Sequence, residues 1–454
     1  MYSFEKTILN VLKSKDKNIY KFYFVGIGGV SISALAITLL QLGQKVGGSD
    51  TKKSKTTKQL KNLGAEIYYK HDEKNVLGYD FVVYSYAVRD NVEIKKAKEL
   101  NIPVISRAEF LGLVLKCYKT SICIAGAHGK TTTTALIYHI LNCDKLNPSL
   151  HLGGVIKGEN ISHKNTNSDF IVCEACEYFD AFLHFKANIA VILNIANEHL
   201  DYYKNYENIK KSFSKFAKKS DMLICNNEQK YINNSKHTIY FGNGGNYTAK
   251  NITMLGDGTY KFDCYKYKKY YGRFHINLKG RHNVYNALAS IVVADSIGIK
   301  KDIIKDALNT FCGVKRRFDV LSLKPYIISD YAHHPDEINS VLLELKKTYK
   351  NKLLVVFQPH TYSRTKLLLN EFTKALNDYE VAIYKTYSAR ENYQKDGSGI
   401  TLCKKLNCGT YFNTKKELSG YVLSKINDDY GVIFLGAGNI DDIARSIVKK
   451  INNI

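Results

Sequence analysis

The chain has 454 residues, too many for one hydrophobic core, so about three domains are expected. With 45% apolar and 24% charged residues it has the balance of an ordinary folded protein, which excludes disordered and fibrous classes. A net charge of +24 would suit a nucleic-acid binder, but the lysines are spread along the chain with no arginine-rich block, which points instead to a general attraction for anionic small molecules.

Strand-like and helix-like runs alternate almost throughout, the pattern of parallel sheets covered by helices. The first block reads as a strand at Lys21 to Val25, a turn at Gly26-Ile27-Gly28-Gly29, a helix from about Ser31 to Leu42, and a strand returning before Gly48-Ser49-Asp50. A glycine turn between strand and helix, with an acid after the second strand, suits a nucleotide diphosphate and a ribose hydroxyl. Ser31 stands where a third glycine would, so a nicotinamide cofactor does not follow; a purely structural turn is the plainer alternative.

The second block opens with an apolar run, Ser121 to Ile124, that leads into Ala125-Gly126-Ala127-His128-Gly129-Lys130-Thr131-Thr132 and a helix-forming run to Leu141. Glycines between a strand and a helix aim backbone N–H groups and the positive helix end at one spot, which favours a polyphosphate. Lys130 is placed to reach the β- and γ-phosphates and Thr131 to offer its hydroxyl to Mg²⁺. The usual first glycine position holds Ile124 and the glycine comes at Gly126, so the loop is a compact variant.

Further apolar runs lie at Phe170 to Cys173, Ile189 to Asn194 and Met222 to Cys225. Ligand-facing strand ends share one edge of a parallel sheet, so Glu174 and His199 are expected to converge on Thr131 and, with phosphate oxygens, to form one or two Mg²⁺ sites. Cys173 and Cys176 have the spacing of a metal pair, but strand alternation buries Cys173 and no second pair follows. All ten cysteines are expected to be reduced, and with no apolar run of membrane-span length and no secretory segment, a cytoplasmic location is expected. Tyrosine-rich alternation between Tyr240 and Tyr271 predicts short antiparallel strands as an embellishment, and the last helix of the block is expected to start near Asn283.

The third block, after Arg317, reads strand (Tyr326 to Ser329), helix (Glu337 to Tyr349), strand (Lys352 to Phe357), helix (Lys366 to Leu376) and a closing strand, Val432 to Leu435. Asp330-Tyr331-Ala332-His333-His334-Pro335 follows its first strand; adjacent histidines seldom both reach one zinc ion, so positioning of a nucleotide or carbonyl is the better expectation. Arg364, in the turn after the next strand, could hold a carboxylate bidentately.

Together these segments resemble the Mur ligase superfamily nearly end to end, in the family's order: Gly26-Ile27-Gly28-Gly29, Gly126 to Thr134, Glu174-Ala175-Cys176-Glu177-Tyr178, Gly280-Arg281-His282-Asn283, Gly313 to Phe318, Asp330 to Pro335 and Phe357-Gln358-Pro359-His360. The last two are similar to the branch that adds L-alanine to UDP-N-acetylmuramate and to the related murein peptide recycling ligases. Cys176, Thr361 and Ser31 depart from common family residues.

The resemblance implies an α/β protein of three domains: an N-terminal Rossmann-like domain for a UDP-sugar (1–117), a central P-loop ATPase-like domain with the β embellishment (118–316), and a C-terminal Rossmann-like domain for nucleotide and amino acid (317–454). It implies that Gly28, Ser49, Asp50, His71 and Arg107 contact the UDP-sugar, and that Gly126, Ala127, His128, Gly129, Lys130, Thr131 and Thr132 bind ATP. Thr131, Glu174 and His199 would hold Mg²⁺, Asn283 and Asn286 the adenine, Arg317 the phosphates and Asp330 the ribose; Tyr331, His360 and Arg364 would face alanine. The implied reaction passes the γ-phosphoryl group of ATP to the lactyl carboxylate, after which the amine of L-alanine displaces phosphate. Lys130, Glu174, His199 and Arg317 would serve that transfer, and His360 or His334 would accept the amine proton. Nucleic acid is not an expected partner, and monomer and dimer are equally compatible with the sequence. A folylpolyglutamate synthetase would share the phosphate loop but not the first block, and a nicotinamide oxidoreductase would leave Lys130 to Thr134 without a purpose.

Overall fold

The computed structural model describes residues 3–233, 237–349, 353–389, 391–426 and 430–452, and forms two compact units, Met1–Cys312 and Gly313–Ile454. The first unit holds two sheets. One has five parallel strands in the order Glu66–Tyr68, Lys45–Ser49, Lys21–Val25, Phe81–Tyr84, Val104–Ser106. Strand order reverses at Lys21–Val25, so the glycine turn after it sits at a topological switch point, where open α/β sheets bind ligands. The helix Val30–Gln41 buries Ile32, Leu35, Ala36 and Leu39, the spacing of one helical face. The helix Arg107–Leu115 starts at a capping box, with Ser106 Oγ accepting from Glu109 N (3.2 Å) and Glu109 Oε2 accepting from Ser106 N (2.7 Å).

The second sheet has ten strands, with Thr120–Ala125 between Ile189–Ile192 and Phe170–Glu174, all parallel. The tyrosine-rich stretch forms antiparallel strands as expected, Tyr247–Met254, Tyr260–Lys266 and Lys269–Ile276, and they extend this sheet through Thr238–Phe241. The helix His282–Ser296 begins near Asn283 as expected, yet it is not the last of the block. Lys301–Thr310 follows, burying Ile304, Ala307 and Leu308 on one face; its lysine-rich start hid that periodicity. One apolar cluster runs from Phe22 and Phe24 of the first sheet through Phe110 to Cys173, Phe182 and Phe216 of the second, which joins the two sheets into one unit.

The second unit carries a six-stranded sheet in the order Asp319–Leu323, Tyr326–Asp330, Gly431–Leu435, Leu353–Phe357, Glu380–Tyr384, Gly409–Phe412; only the first pair is antiparallel. The expected strand start, Lys352, lies outside the described residues. The helix expected from Lys366 to Leu376 is two helices, Tyr362–Leu367 and Leu369–Leu376, broken at Leu368, whose backbone (φ −109°, ψ 27°) is non-helical. All ten cysteines are free thiols, with Cys123, Cys173 and Cys225 buried.

Candidate active site

The strand Thr120–Ala125 gives way to Gly126 (φ 146°) and Gly129 (φ 85°), backbone that a side chain would strain. A Cβ at Gly129 would stand 2.5 Å from Asn286 Oδ1, so glycine is also required by space. Asn194, at the end of the neighbouring strand, fixes the loop: its Oδ1 accepts from His128 N at 2.7 Å, its Nδ2 donates to His128 O at 2.9 Å, and its carbonyl accepts from Ala127 N at 3.1 Å. The helix Lys130–Cys143 begins at once, so its free N–H groups converge on the loop. Thr132 is buried in its first turn, and Asn283 and Asn286, buried and joined by a 2.8 Å hydrogen bond, back it.

Two acids meet the first turn from the next strand. Glu174 Oε1 accepts from Thr131 Oγ1 at 3.0 Å while Glu174 Oε2 accepts from Gly153 N at 2.9 Å. Glu177 is buried, and its Oε1 pairs with Lys130 Nζ at 3.0 Å. Lys130 also donates to Gly126 O and, at 3.2 Å, to Ala127 O. Burial opposes the charge on Lys130, but Glu177 above all, with Glu198 and Glu174, holds its pKa well above the ordinary lysine value. His199, in left-handed backbone, stacks on Tyr178 with centroids 4.2 Å apart, and its Nε2 is 3.8 Å from Glu177 Oε1. Glu198 Oε1 is 3.6 Å from His128 Nδ1.

At the first sheet, Asp50 Oδ2 accepts from Gly28 N (3.0 Å), and a Cβ at Gly28 would come within 2.7 Å of it. Ser49 and His71 are organised by Glu93, which is fully buried: Ser49 Oγ donates to its Oε2 at 2.6 Å and His71 Nδ1 lies 2.8 Å away. Tyr23 and Asn75 also donate to its carboxylate. Arg107 donates to Ser31 Oγ at 2.8 Å, and Ser31 meets His151 Nε2 at 2.7 Å. The serine in the third glycine position thus links the two sheets of this unit.

In the second unit, Asp330 accepts from Phe318 N (2.6 Å) and Ala332 N (2.8 Å); burial pushes its pKa up, against Arg317 and those two amides. Tyr331 has the Arg316 and Arg317 guanidiniums 4.8 and 5.0 Å from its ring centre. His333 lies 3.3 Å from Glu337 and its ring centre 5.8 Å from that of His360, which stacks on Tyr387. Arg364 Nη1 is 3.5 Å from His360 Nδ1, and among the described residues no carboxylate lies within ion-pair distance of Arg364. Burial first, then Arg364, lowers the His360 pKa to about 4; burial takes His333 to about 3.

Three family models match in succession: the Mur ligase family catalytic domain at residues 21–119, the Mur ligase middle domain at 124–294, and the Mur ligase glutamate ligase domain at 316–438. The chain belongs to the Mur ligase family. A UDP-N-acetylmuramate--L-alanine ligase from Caldicellulosiruptor saccharolyticus is 40% identical over 450 residues, covering 95% of this chain and 98% of the relative. Among solved structures, a UDP-N-acetylmuramate-alanine ligase from Thermotoga maritima superposes with a TM-score of 0.82 at 29% identity, over 96% of this chain and 99% of that one. A murein peptide ligase from Psychrobacter arcticus has the same fold, with a TM-score of 0.72 at 20% identity over 96% and 99%.

In this Mur ligase the expected nucleotide residues Gly126 to Thr132 lie in one loop and helix start, with Glu174 joined to Thr131. His199 keeps company with Glu177 and Glu198, and the potential ligand atoms of these three lie within 4.8 Å of one another. Ser49 and His71 share Glu93, while Arg107 stands with Ser31 and His151. Glu177, Glu93 and His151 were missed as site residues. Only Glu177 carried a signal in the sequence, its place three residues after Glu174; the other two act through partners 18 or more positions away, beyond the reach of local spacing.

Proposed function

We propose that this chain is an ATP-dependent ligase that joins L-alanine to the lactyl carboxylate of UDP-N-acetylmuramate, the first amino-acid addition in peptidoglycan precursor synthesis. The observation that carries this reading is the phosphate loop with Lys130 and the Thr131–Glu174 pair, set in a chain 40% identical over nearly its whole length to a ligase of that name. The domain limits 1–117, 118–316 and 317–454 are proposed with it. A cytoplasmic location follows from the supply of ATP and UDP-sugar, and no helix among the described residues is long and apolar enough to cross a membrane.

A carboxylate is a poor electrophile, so one of its oxygens attacks the γ-phosphorus of ATP, ADP leaves, and an acyl phosphate forms. The amine of alanine then attacks the acyl carbon, phosphate departs and the amine gives up a proton. Gly126 to Thr132 bind and orient the triphosphate through backbone N–H groups, and Lys130 and Arg317 offset the charge that gathers in transfer. Asn283 and Asn286 serve the adenine and Asp330 the ribose; Gly28, Ser49, Asp50, His71 and Arg107 hold the UDP-sugar.

Magnesium fits the donors present. Thr131 Oγ1 and Glu174 Oε1 are hard oxygens 3.0 Å apart, close to the roughly 2.9 Å between adjacent ligands of an octahedral ion with 2.0–2.1 Å bonds. Thr131, Glu174 and His199 would hold Mg²⁺, which supplies charge neutralisation to the phosphates when bound. Arg364 and Tyr331 take the amino acid. His360, neutral above about pH 4, accepts a hydrogen bond from the amine and is too weakly basic to store its proton.

The test is phosphate release from ATP with each substrate omitted in turn. Rapid release is expected only with UDP-N-acetylmuramate and L-alanine both present. Release with a preformed peptide but not with alanine would assign the chain to recycling, and release with neither would remove the ligase reading.

A further inference from the structure

Lys130 is held by a residue that phosphate binding does not require. Its ammonium turns back over its own loop to Gly126 O and Ala127 O and ends on Glu177 Oε1 at 3.0 Å. In that posture it is paired as a phosphate would pair it. The acid is built into place: Tyr203 Oη donates to the Glu177 carbonyl at 2.5 Å, Asp180 N donates to the same carbonyl at 2.9 Å, and Phe182 N donates to Cys176 O at 3.0 Å. Asp180 is anchored in turn by Tyr202, Tyr203 and Ser212, with Phe179 and Asp180 in left-handed backbone (φ 55° and 56°). Such backbone persists only where surrounding contacts enforce it. The Glu177 side chain is 3% exposed, and its second oxygen, Oε2, has no hydrogen-bond partner among the described residues. A buried carboxylate so poorly satisfied is costly unless its charge is used.

We infer that Glu177 is a positioning residue that holds the Lys130 ammonium across the phosphate loop when no nucleotide is bound and yields it to nucleotide phosphate, so that ATP binds by exchange of one anion for another at Lys130. The inference rests on the reading of Lys130 as a phosphate ligand. Released from Lys130, Glu177 still has His199 Nε2 3.8 Å from its Oε1, so the carboxylate passes from one cation to the side chain beside it without entering water. The exchange makes nucleotide affinity a difference between two ion pairs, and it keeps Lys130 paired until phosphate arrives.

The experiment compares the intact chain with Glu177→Gln and Glu177→Asp. Without nucleotide, the rate at which an acylating reagent labels Lys130 at constant pH is read by mass spectrometry. The Gln variant should label several-fold faster, because the ammonium no longer ends on a carboxylate; the Asp variant should stay close to the parent. Calorimetric binding of ADP should tighten about three- to tenfold in Glu177→Gln, with UDP-N-acetylmuramate affinity unchanged as the check on folding. Equal labelling in parent and Gln variant, or ADP binding that weakens in Gln, overturns the inference. Equal labelling with ADP bound normally defeats only the role of Glu177, whereas no ADP binding by the parent, or no protection of Lys130 by ADP, defeats the phosphate-loop reading itself.

Discussion

Around Lys130 the cation is already enclosed by acids, whereas around Arg364 the cation faces none among the described residues. The first arrangement requires an incoming phosphate to displace a carboxylate. The second offers a guanidinium, beside a neutral imidazole and a tyrosine flanked by two arginines, to an anion that must come from outside. Charge is thus balanced in advance where the ligand is a highly charged polyphosphate, and left open where the ligand is a small amino acid with a single carboxylate. Substitutions in the two regions should therefore fail in different ways.

The largest effect is expected from Lys130→Ala. Removing the charge that meets the transferring phosphoryl group should lower kcat by roughly 10²–10³-fold or more, with UDP-sugar binding intact, as read by steady-state phosphate release and calorimetry. A loss confined to alanine KM would erase the contrast between the regions. Glu174→Gln should lower kcat by about 10²-fold and shift the Mg²⁺ titration to higher concentration, since it removes one oxygen charge beside Thr131.

Arg364→Ala should raise the alanine KM by about 10- to 100-fold, the size of one lost charged hydrogen-bond pair, and leave ATP KM alone. His360→Ala is expected to act on alanine KM by less than that, with the saturated rate changed only slightly.

The smallest effect concerns pH. His333 and His360 have folded pKa values of about 3 and about 4, below the unfolded value near 6.5. The unfolded chain therefore binds more protons between those limits. Stability of the Gly313–Ile454 unit is full above about pH 6.5 and should fall steadily as pH drops toward 4. Hydrogen exchange of the strands Leu353–Phe357 and Gly431–Leu435 measures this, and a double His333→Asn, His360→Gln variant should flatten the profile.

The same contrast shows what the chain discloses before folding. The phosphate loop was legible because its chemistry is contiguous: strand, two glycines, lysine and threonine follow one another and dictate local backbone. The βα turn at Gly26 to Asp50, the strands Tyr326–Asp330 and Leu353–Phe357 of the third block and the pairing of Glu174 with Thr131 were legible for the same reason, a strand end being a fixed place in a parallel sheet. What escaped depends on distance along the chain. Glu93 gathers Ser49, His71, Tyr23 and Asn75 from separate elements, and the Ser31–Arg107–His151 link spans both sheets. The break at Leu368 escaped because leucine favours a helix, and nothing in its residue type signals the non-helical backbone it adopts. The strands Glu380–Tyr384 and Gly409–Phe412 are short and flanked by polar runs, so their periodicity is weak.

The central claim is that the lactyl carboxylate is activated by phosphoryl transfer at the Lys130 loop. The direct measurement is turnover with UDP-N-acetylmuramate labelled with ¹⁸O in its carboxylate, followed by mass spectrometry of the nucleotide and phosphate products. One labelled oxygen in inorganic phosphate for each amide formed, with unlabelled ADP, is the predicted result; label in AMP, or unlabelled phosphate, would contradict it.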